Sequence, residues 1–333
     1  MKAVVFKGKD FPLTVTDFPK PKPGKDQMLV KLKNAAINHR DLWTTLEQAS
    51  VPHADGVVLG SDGCGIVEEV GADVDTHWVG AEVILLPSLD WGSNPAVQGD
   101  AFRILGNPDH GTFAEYIAID KKYIFEKPEH LTFEEAAALP LSGLTAYRAL
   151  FSKAKLRANE KVLITGIGGG AALWALQLAV GYRAKVSVTS GNDEKLVNAK
   201  KLGALHTYSY KNPAWVAEAQ KDNRAFDVII DSAGGSDFDQ LIELAAPGGR
   251  IVNFGRTAGS QATIDIRKFF WKQLTLFGTT MGTRDEFLSL LEFLESRQVK
   301  PVIDREYPLE EIQVAFARMQ GGTQFGKIVL AIR

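Results

Sequence analysis

From Lys161 onward the apolar positions repeat one order: a short β-branched and aliphatic run, a break, then a helical pattern. Val162–Thr165 is the first such run; a glycine cluster follows, and Ala171–Val180 reads as a helix closed by Gly181. Ala184–Thr189, Phe226–Asp231 and Arg250–Phe254 repeat the extended pattern with helical stretches between them, the βαβ alternation of a doubly wound parallel sheet. The N-terminal part has a different rhythm. Lys2–Phe6, Leu13–Thr16 and Met28–Lys33 read as short strands, broken by Pro19, Pro21, Pro23 and Gly24, and Leu59–Gly71 and Val79–Leu86 continue the β series. Asn38–Leu46 is a short helical candidate among them. Thr132 and Glu135 stand at capping-box spacing, so a helix starts there, and a second runs roughly from Gly143 to Ala154. Lys272–Gly282 supplies the last strand of the α/β part, Arg284–Arg297 is an amphipathic helix, and Leu309–Met319 with a terminal strand at Lys327–Ile332 returns the chain to its first part. The expected organisation is a mostly β domain at 1–127, an α/β domain at 128–279 and a returning segment at 280–333.

The break after Thr165 carries chemistry. Gly166, Gly168, Gly169 and Gly170 allow backbone angles that a Cβ forbids and let the main chain approach a pyrophosphate, whose charge is favoured by the free N–H groups at the helix start. Glycine-rich turns also close hairpins and cap helices; the strands on both sides select the dinucleotide reading. An NAD-selective fold usually places a carboxylate at the tip of the second strand, roughly 20 residues past the turn. Here that tip is Val188-Thr189-Ser190-Gly191-Asn192, with no carboxylate, and Ser190 and Lys195 can bond and neutralise a 2′-phosphate. Asp193 and Glu194 fit the first turn of the following helix. The expected cofactor is NADP(H). Ser232–Gly235 and Asn253–Arg256, the latter with Phe254 and Gly255, are strand-end turns at the edge of the sheet where ligands bind.

Charge and composition narrow the partners. Against 40 Asp and Glu the chain sets 38 Lys and Arg, so no basic excess favours nucleic acid or an anionic membrane, and no window is apolar enough to span a bilayer. A small-molecule ligand is expected. Cys64, the single cysteine, excludes an internal disulfide framework, and Met1–Phe6 has no signal-peptide pattern, which makes the cytoplasm the expected compartment.

Four ordered stretches carry a resemblance: Gly-Ser-Asp-Gly-Cys-Gly-Ile-Val at 60–67, Gly-Thr-Phe-Ala-Glu-Tyr at 111–116, Ala-Leu-Pro-Leu-Ser-Gly-Leu-Thr-Ala-Tyr at 138–147, and the glycine turn. Together they resemble the medium-chain dehydrogenase/reductase superfamily over essentially the whole chain. The resemblance implies a GroES-like, mostly β catalytic domain paired with a Rossmann domain. In zinc-dependent members the catalytic metal takes thiolate and imidazole ligands; the corresponding positions here hold Asn38, Ser61 with Asp62 beside it, and Leu141. Pro87–His110, where such members carry a four-cysteine lobe, has no cysteine, and the six histidines show no paired metal-ligand spacing. The chain is therefore similar to the zinc-free branch of quinone oxidoreductase-like and enone-reductase-like proteins, and no metal site is expected.

The same resemblance assigns residues. Asn38 and Asp41 match the Asn-x-x-Asp of quinone oxidoreductase-like members; Asn38 is expected as a donor orienting the nicotinamide ribose or the acceptor, and Asp41 as a brace for that loop or a proton relay through water. The cluster Asn38-His39-Arg40-Asp41 is also a plausible solvated helix start with Asn38 as cap, and His39 and Arg40 face either phosphates or the surface. Thr145 falls near the nicotinamide, while Tyr147 is expected to pack. Tyr210 lies on the phosphate side, Thr279, Thr280 and Met281 supply backbone groups to the nicotinamide amide, and Lys327 of Gly326-Lys327 either faces the cofactor or lies on the surface. Val51–Val57 and Pro87–His110 are loops expected to shape a substrate pocket. The expected activity is NADPH-dependent hydride transfer to a quinone or α,β-unsaturated carbonyl by a homodimer. Reduction of another small carbonyl, and a non-catalytic NADPH-binding sensor or scaffold, are the alternatives.

Overall fold

Alternating apolar positions set the first half of the chain into short antiparallel strands. In the structure, a computed structural model describing residues 1–8, 11–47, 51 and 53–333, these are β1 (Lys2–Phe6), β2 (Val15–Asp17), β3 (Gln27–Ala36), β4 (Val57–Val58), β5 (Asp62–Val70), β6 (Glu82–Leu85), β7 (Ser88–Leu89), β8 (Arg103–Ile104), β9 (Tyr116–Asp120) and β10 (Ile124–Glu126). Helix α1 (His39–Leu46) follows β3, and α2 (Phe133–Ala137) and α3 (Pro140–Tyr147) follow β10. The long strands β3 and β5 pair closely: a Cβ on Gly65 would lie 2.2 Å from the Lys31 carbonyl oxygen, so only glycine fits that register. Cys64 precedes it in β5, buried, with its thiol donating to the Phe133 carbonyl at 2.8 Å; burial pushes its ionisation well up. The capping box of Thr132 and Glu135 opens α2 as expected. α3 starts at Pro140, whose missing N–H costs nothing in a first turn, and the chain continues beyond Tyr147 as a π-helical stretch, Arg148–Lys153, in place of one regular helix from Gly143.

The internal contacts divide the chain into Met1–Ser142 with Gly282–Arg333, and Gly143–Met281. The first boundary lies later than residue 127 because α2 packs on β3 and β5. The second unit holds β11 (Lys161–Ile164), α4 (Gly170–Gly181), β12 (Lys185–Ser190), α5 (Asp193–Lys201), β13 (His206–Ser209), α6 (Trp215–Asn223), β14 (Phe226–Asp231), α7 (Phe238–Leu244), β15 (Ala245–Asn253), α8 (Ile266–Trp271) and β16 (Thr275–Gly278). All its strand pairs are parallel, in the order β13-β12-β11-β14-β15-β16, the Rossmann-like sheet anticipated from the alternation. Its core joins Leu163, Phe226, Ile229, Leu244 and Ile251. Arg250 grips both Glu160 carboxylate oxygens at 3.0 and 2.7 Å.

The returning segment brings α9 (Arg284–Arg297), β17 (Ile303–Pro308), α10 (Ile312–Gln320) and β18 (Lys327–Ala331) to the first unit. β18 pairs antiparallel with β3 and parallel with β17, in the sheet order β10-β6-β5-β3-β18-β17, with β9 also on β3.

Candidate active site and dinucleotide cradle

Three strand ends of the first unit set the first group of side chains. Asn38 follows β3 with extended backbone and occupies the N-cap of α1; Asp62 opens β5, which pairs Asp62 with Ala36. In β18, Val329 lies opposite Ala36, so the antiparallel register brings Lys327 level with Asn38. The result is a buried network. The Lys327 ammonium donates to Ile37 O at 3.1 Å, Asn38 Oδ1 at 2.7 Å and Asp62 Oδ2 at 2.8 Å, and Asn38 Nδ2 donates to Asp62 Oδ2 at 2.9 Å. Asp62 Oδ1 accepts the Leu141 N–H at 2.7 Å.

This arrangement overturns the surface reading of Lys327. Lys327 is 3% exposed, and its three N–H groups meet three protein oxygens; it is neither a surface lysine nor one with a hydrogen left to offer a cofactor. Asn38 Oδ1 accepts from Lys327 and one Nδ2 hydrogen goes to Asp62, which leaves the second Nδ2 hydrogen without an acceptor among the described residues; the Asn38 backbone N–H is taken by Asp41 Oδ2 at 2.8 Å. Asp41 thus braces the loop. Its Oδ1 is buried without a hydrogen-bond partner, 3.8 Å from the Arg40 guanidinium, and burial, only partly offset by Arg40, raises its pKa to about 6. Arg40 points to the 103–107 stretch, donating to Ser61 Oγ at 2.8 Å, Leu105 O at 3.1 Å and Asn107 O at 3.2 Å. That stretch, read as irregular, is pinned further by the β7–β8 pair and by Arg103, which holds Asp90 and Asp109. Of the Val51–Val57 loop, Pro52 lies outside the described residues.

The second unit builds a cradle from main chain. Gly166 (φ +65°) and Gly168 (φ +136°) occupy left-handed backbone, and a Cβ on Gly168 would lie 2.8 Å from Lys195 Cδ and 3.0 Å from its Nζ. The lysine therefore lies over the turn. Gly169 and Gly170 do not need such angles: Gly169 is the extended N-cap of α4 and Gly170 its first residue, so their use is the bare approach to the helix N-terminus. Ser190 ends β12 and accepts the Asn192 N–H at 3.2 Å, and Tyr210, 53% exposed, lies against Gly191, where a Cβ would be 2.7 Å from its hydroxyl. Asp193 and Glu194 sit in the first turn of α5, as expected.

Asp231, which sequence reasoning treated only as a strand end, organises the neighbouring edge. It accepts from Thr165 Oγ1 at 2.6 Å, Ala233 N at 3.1 Å, Gly234 N at 3.0 Å and Asn253 Nδ2 at 2.7 Å. Around it, Phe254 N donates to Asp231 O, Gly255 O accepts from Asn253 Nδ2, and Thr279 N donates to Asn253 O. Thr279 Oγ1 is buried without a hydrogen-bond partner, Thr280 is half-buried, and Met281 has φ +40°. Thr145 is buried in α3, and Tyr147 packs on Phe151, ring centroids 4.8 Å apart. A glycine cradle at a helix N-terminus, a lysine above it and an orphaned hydroxyl at the sheet edge suit a dinucleotide.

Residues 24–129 match the family model described as alcohol dehydrogenase GroES-like domain, and residues 170–296 the model described as zinc-binding dehydrogenase. The chain is 35% identical to the zinc-type alcohol dehydrogenase-like protein YogA of Leptosphaeria maculans, over 97% of this chain and 95% of that one. It is 29% identical to acryloyl-coenzyme A reductase of Sulfurisphaera tokodaii over 99% of each chain. A crystal structure described as an NAD-dependent alcohol dehydrogenase superposes with a TM-score of 0.94 at 35% identity, covering 100% of both chains.

Proposed function

We propose that this chain, which belongs to the medium-chain dehydrogenase/reductase superfamily in its quinone- and enone-reductase-like branch, is an NADPH-dependent reductase of quinones or α,β-unsaturated carbonyl compounds that works without zinc. The observation that carries the reading is the donor set of the first unit. Asn38, Ser61 and Leu141 offer no thiolate or imidazole, and the Asp62 carboxylate is already engaged by Leu141 N, Asn38 Nδ2 and Lys327. Among the described residues no three His, Cys, Asp or Glu are grouped to hold a metal. These residues do not fit zinc, whatever the name of the family model.

NADPH, when bound, supplies the hydride. The chain's own part is to hold and polarise. The free N–H groups at the start of α4 would hold a pyrophosphate, and Ser190 at the end of β12, Lys195 over Gly168 and Tyr210 against Gly191 would bind a 2′-phosphate, with no carboxylate at the tip of β12 to take ribose hydroxyls. That difference favours NADPH although one solved relative is described as NAD-dependent. Asn38 donates to the acceptor oxygen as negative charge grows on it, and water supplies the proton. The name of the acryloyl-coenzyme A reductase supports a conjugated carbonyl acceptor.

Two copies pair along the sheet edge in this reading. Strand β16 ends the parallel sheet, and beside it Ile266, Phe270 and Trp271, the last 79% exposed, leave apolar surface uncovered. No helix among the described residues is long and apolar enough to cross a membrane, and we assign the enzyme to the cytoplasm.

Stopped-flow mixing of the NADPH-loaded protein with quinones, enones, aldehydes and alcohols tests the activity, with elemental analysis of the same preparation. Oxidation with conjugated acceptors and sub-stoichiometric zinc are expected. No oxidation above the protein-free rate for any acceptor replaces the reading with a non-catalytic NADPH-binding protein; one zinc per chain, with turnover abolished by chelators, ends the zinc-free claim.

A further inference from the structure

We infer that the buried Lys327 ammonium fixes which way the Asn38 amide faces, which makes Lys327 a positioning residue for the reduction proposed above; its catalytic consequence rests on that reading. An asparagine amide is nearly symmetric in shape, and its oxygen and nitrogen exchange places by one rotation. The neighbours of Asn38 are not symmetric. An ammonium only donates and a carboxylate only accepts. Asn38 stands between one of each, with Lys327 Nζ 2.7 Å from Oδ1 and Asp62 Oδ2 2.9 Å from Nδ2. Rotating the amide sets an NH2 group against the ammonium and a carbonyl oxygen against the carboxylate, among buried groups that lose their hydrogen bonds without gaining water.

The bracket is itself anchored at both ends. Lys327 spends a further hydrogen on Ile37 O, and β18 carries the lysine in register with the end of β3. Asp62 is held through Oδ1 by the Leu141 N–H and through its carbonyl by Thr112 Oγ1 at 2.7 Å. One hydrogen of Asn38 Nδ2 then has no acceptor among the described residues. Asn38 thus presents a donor, never an acceptor, the polarity required where charge develops on a quinone or carbonyl oxygen. Replacing Lys327 by a neutral side chain leaves Oδ1 without its donor and Asp62 without its counter-ion, so the amide loses its fixed sense.

Asparagine-selective 15N spectra of the full chain, with the Asn38 signal identified by its loss in Asn38→Ala, read the orientation without any turnover. The wild-type side chain is expected to give two amide proton signals displaced from those of an exposed asparagine, one exchanging slowly with water; Lys327→Met moves both toward exposed-asparagine positions and speeds that exchange, and Lys327→Arg retains the wild-type pattern. In parallel, Lys327→Met is expected to lower kcat about tenfold or more with the NADPH dissociation constant within about twofold, and Asn38→Ala added to it is expected to cost nothing further. An unchanged amide pair in folded Lys327→Met overturns the inference, as do fully additive kinetic losses of the two substitutions. Should Lys327→Met not fold, Asp62→Asn with Lys327→Met removes both charges together and carries the same expectations. If the wild type reduces no acceptor, the proposed function fails while the spectra still decide the orientation.

Discussion

The dinucleotide cradle is made of main chain and the Asn38 network of side chains. In the cradle, the turn from Gly166 to Gly170 works through what is missing, since left-handed angles and bare N–H groups need only the absence of Cβ atoms. In the network, Asn38, Asp62 and Lys327 work through what is present, with Lys327 Nζ bonded to Asn38 Oδ1 and Asp62 Oδ2 and Asn38 Nδ2 bonded to Asp62 Oδ2. The first is broken by adding atoms and the second by removing charge. Loss of polar neighbours is accordingly expected to weaken cofactor binding at the cradle by degrees, whereas the network has no redundant member.

That contrast is sharpened first where it should be most extreme. Gly168→Val forces a branched residue into φ +136° and pushes the end of the Lys195 side chain off the turn, so NADPH affinity is expected to fall about 1,000-fold or more, roughly 4 kcal/mol. Fluorescence titration measures it, and an affinity within tenfold of wild type shows that the turn is not the cradle.

The next largest effect lies in the network and depends on pH. Asp41 has its pKa raised from 3.8 to about 6, so between those values the folded chain keeps a proton that the unfolded chain has released. Stability therefore falls as pH rises from about 4 to about 6, by up to ~3 kcal/mol, and stays reduced above that. Asp41→Asn cannot ionise. Its unfolding free energy relative to wild type, from urea titrations, is expected to be larger, meaning a relatively more stable variant, at pH 7.5 than at pH 4, and equal differences at the two values refute the burial argument.

The smallest effect is the graded one in the cradle. Ser190→Asp sets a charge against a 2′-phosphate while offering NADH a ribose partner, moving preference toward NADH by about tenfold, roughly 1.4 kcal/mol. Lys195→Ala is expected to weaken NADPH and leave NADH unchanged. Wild-type NADPH affinity in both variants would show the phosphate site to lie elsewhere.

The same division explains what was legible in the sequence. Gly166, Gly168, Ser190 and Lys195 fall within one strand–turn–helix–strand–helix segment, where spacing alone predicts proximity, and the parallel sheet followed from the same alternation. The network joins residues 24, 265 and 289 positions apart, and Lys327 reaches Asn38 only through the register of β18 on β3. No local pattern encodes that register. Asp62 was visible only as the neighbour of Ser61 at a vanished metal position. Strand β17, Ile-Asp-Arg-Glu-Tyr-Pro, escaped because its polar residues hide a ladder whose partner, β18, comes later in the chain. α3 escaped at its start because Pro140 reads as a breaker until it is seen to occupy a first helical turn.

Cys64 gives the first unit a built-in gauge of local opening. The chain has one thiol; it is buried in β5, tied to the Phe133 carbonyl and hard to ionise there. A thiol reagent needs both access and thiolate, so modification of the native protein proceeds through states in which β5 has parted from α2. Because Cys64 lies two residues beyond Asp62, the labelling rate measures how tightly that strand end is held. A loosened Lys327 variant would announce itself by faster labelling, with no added probe and no substrate.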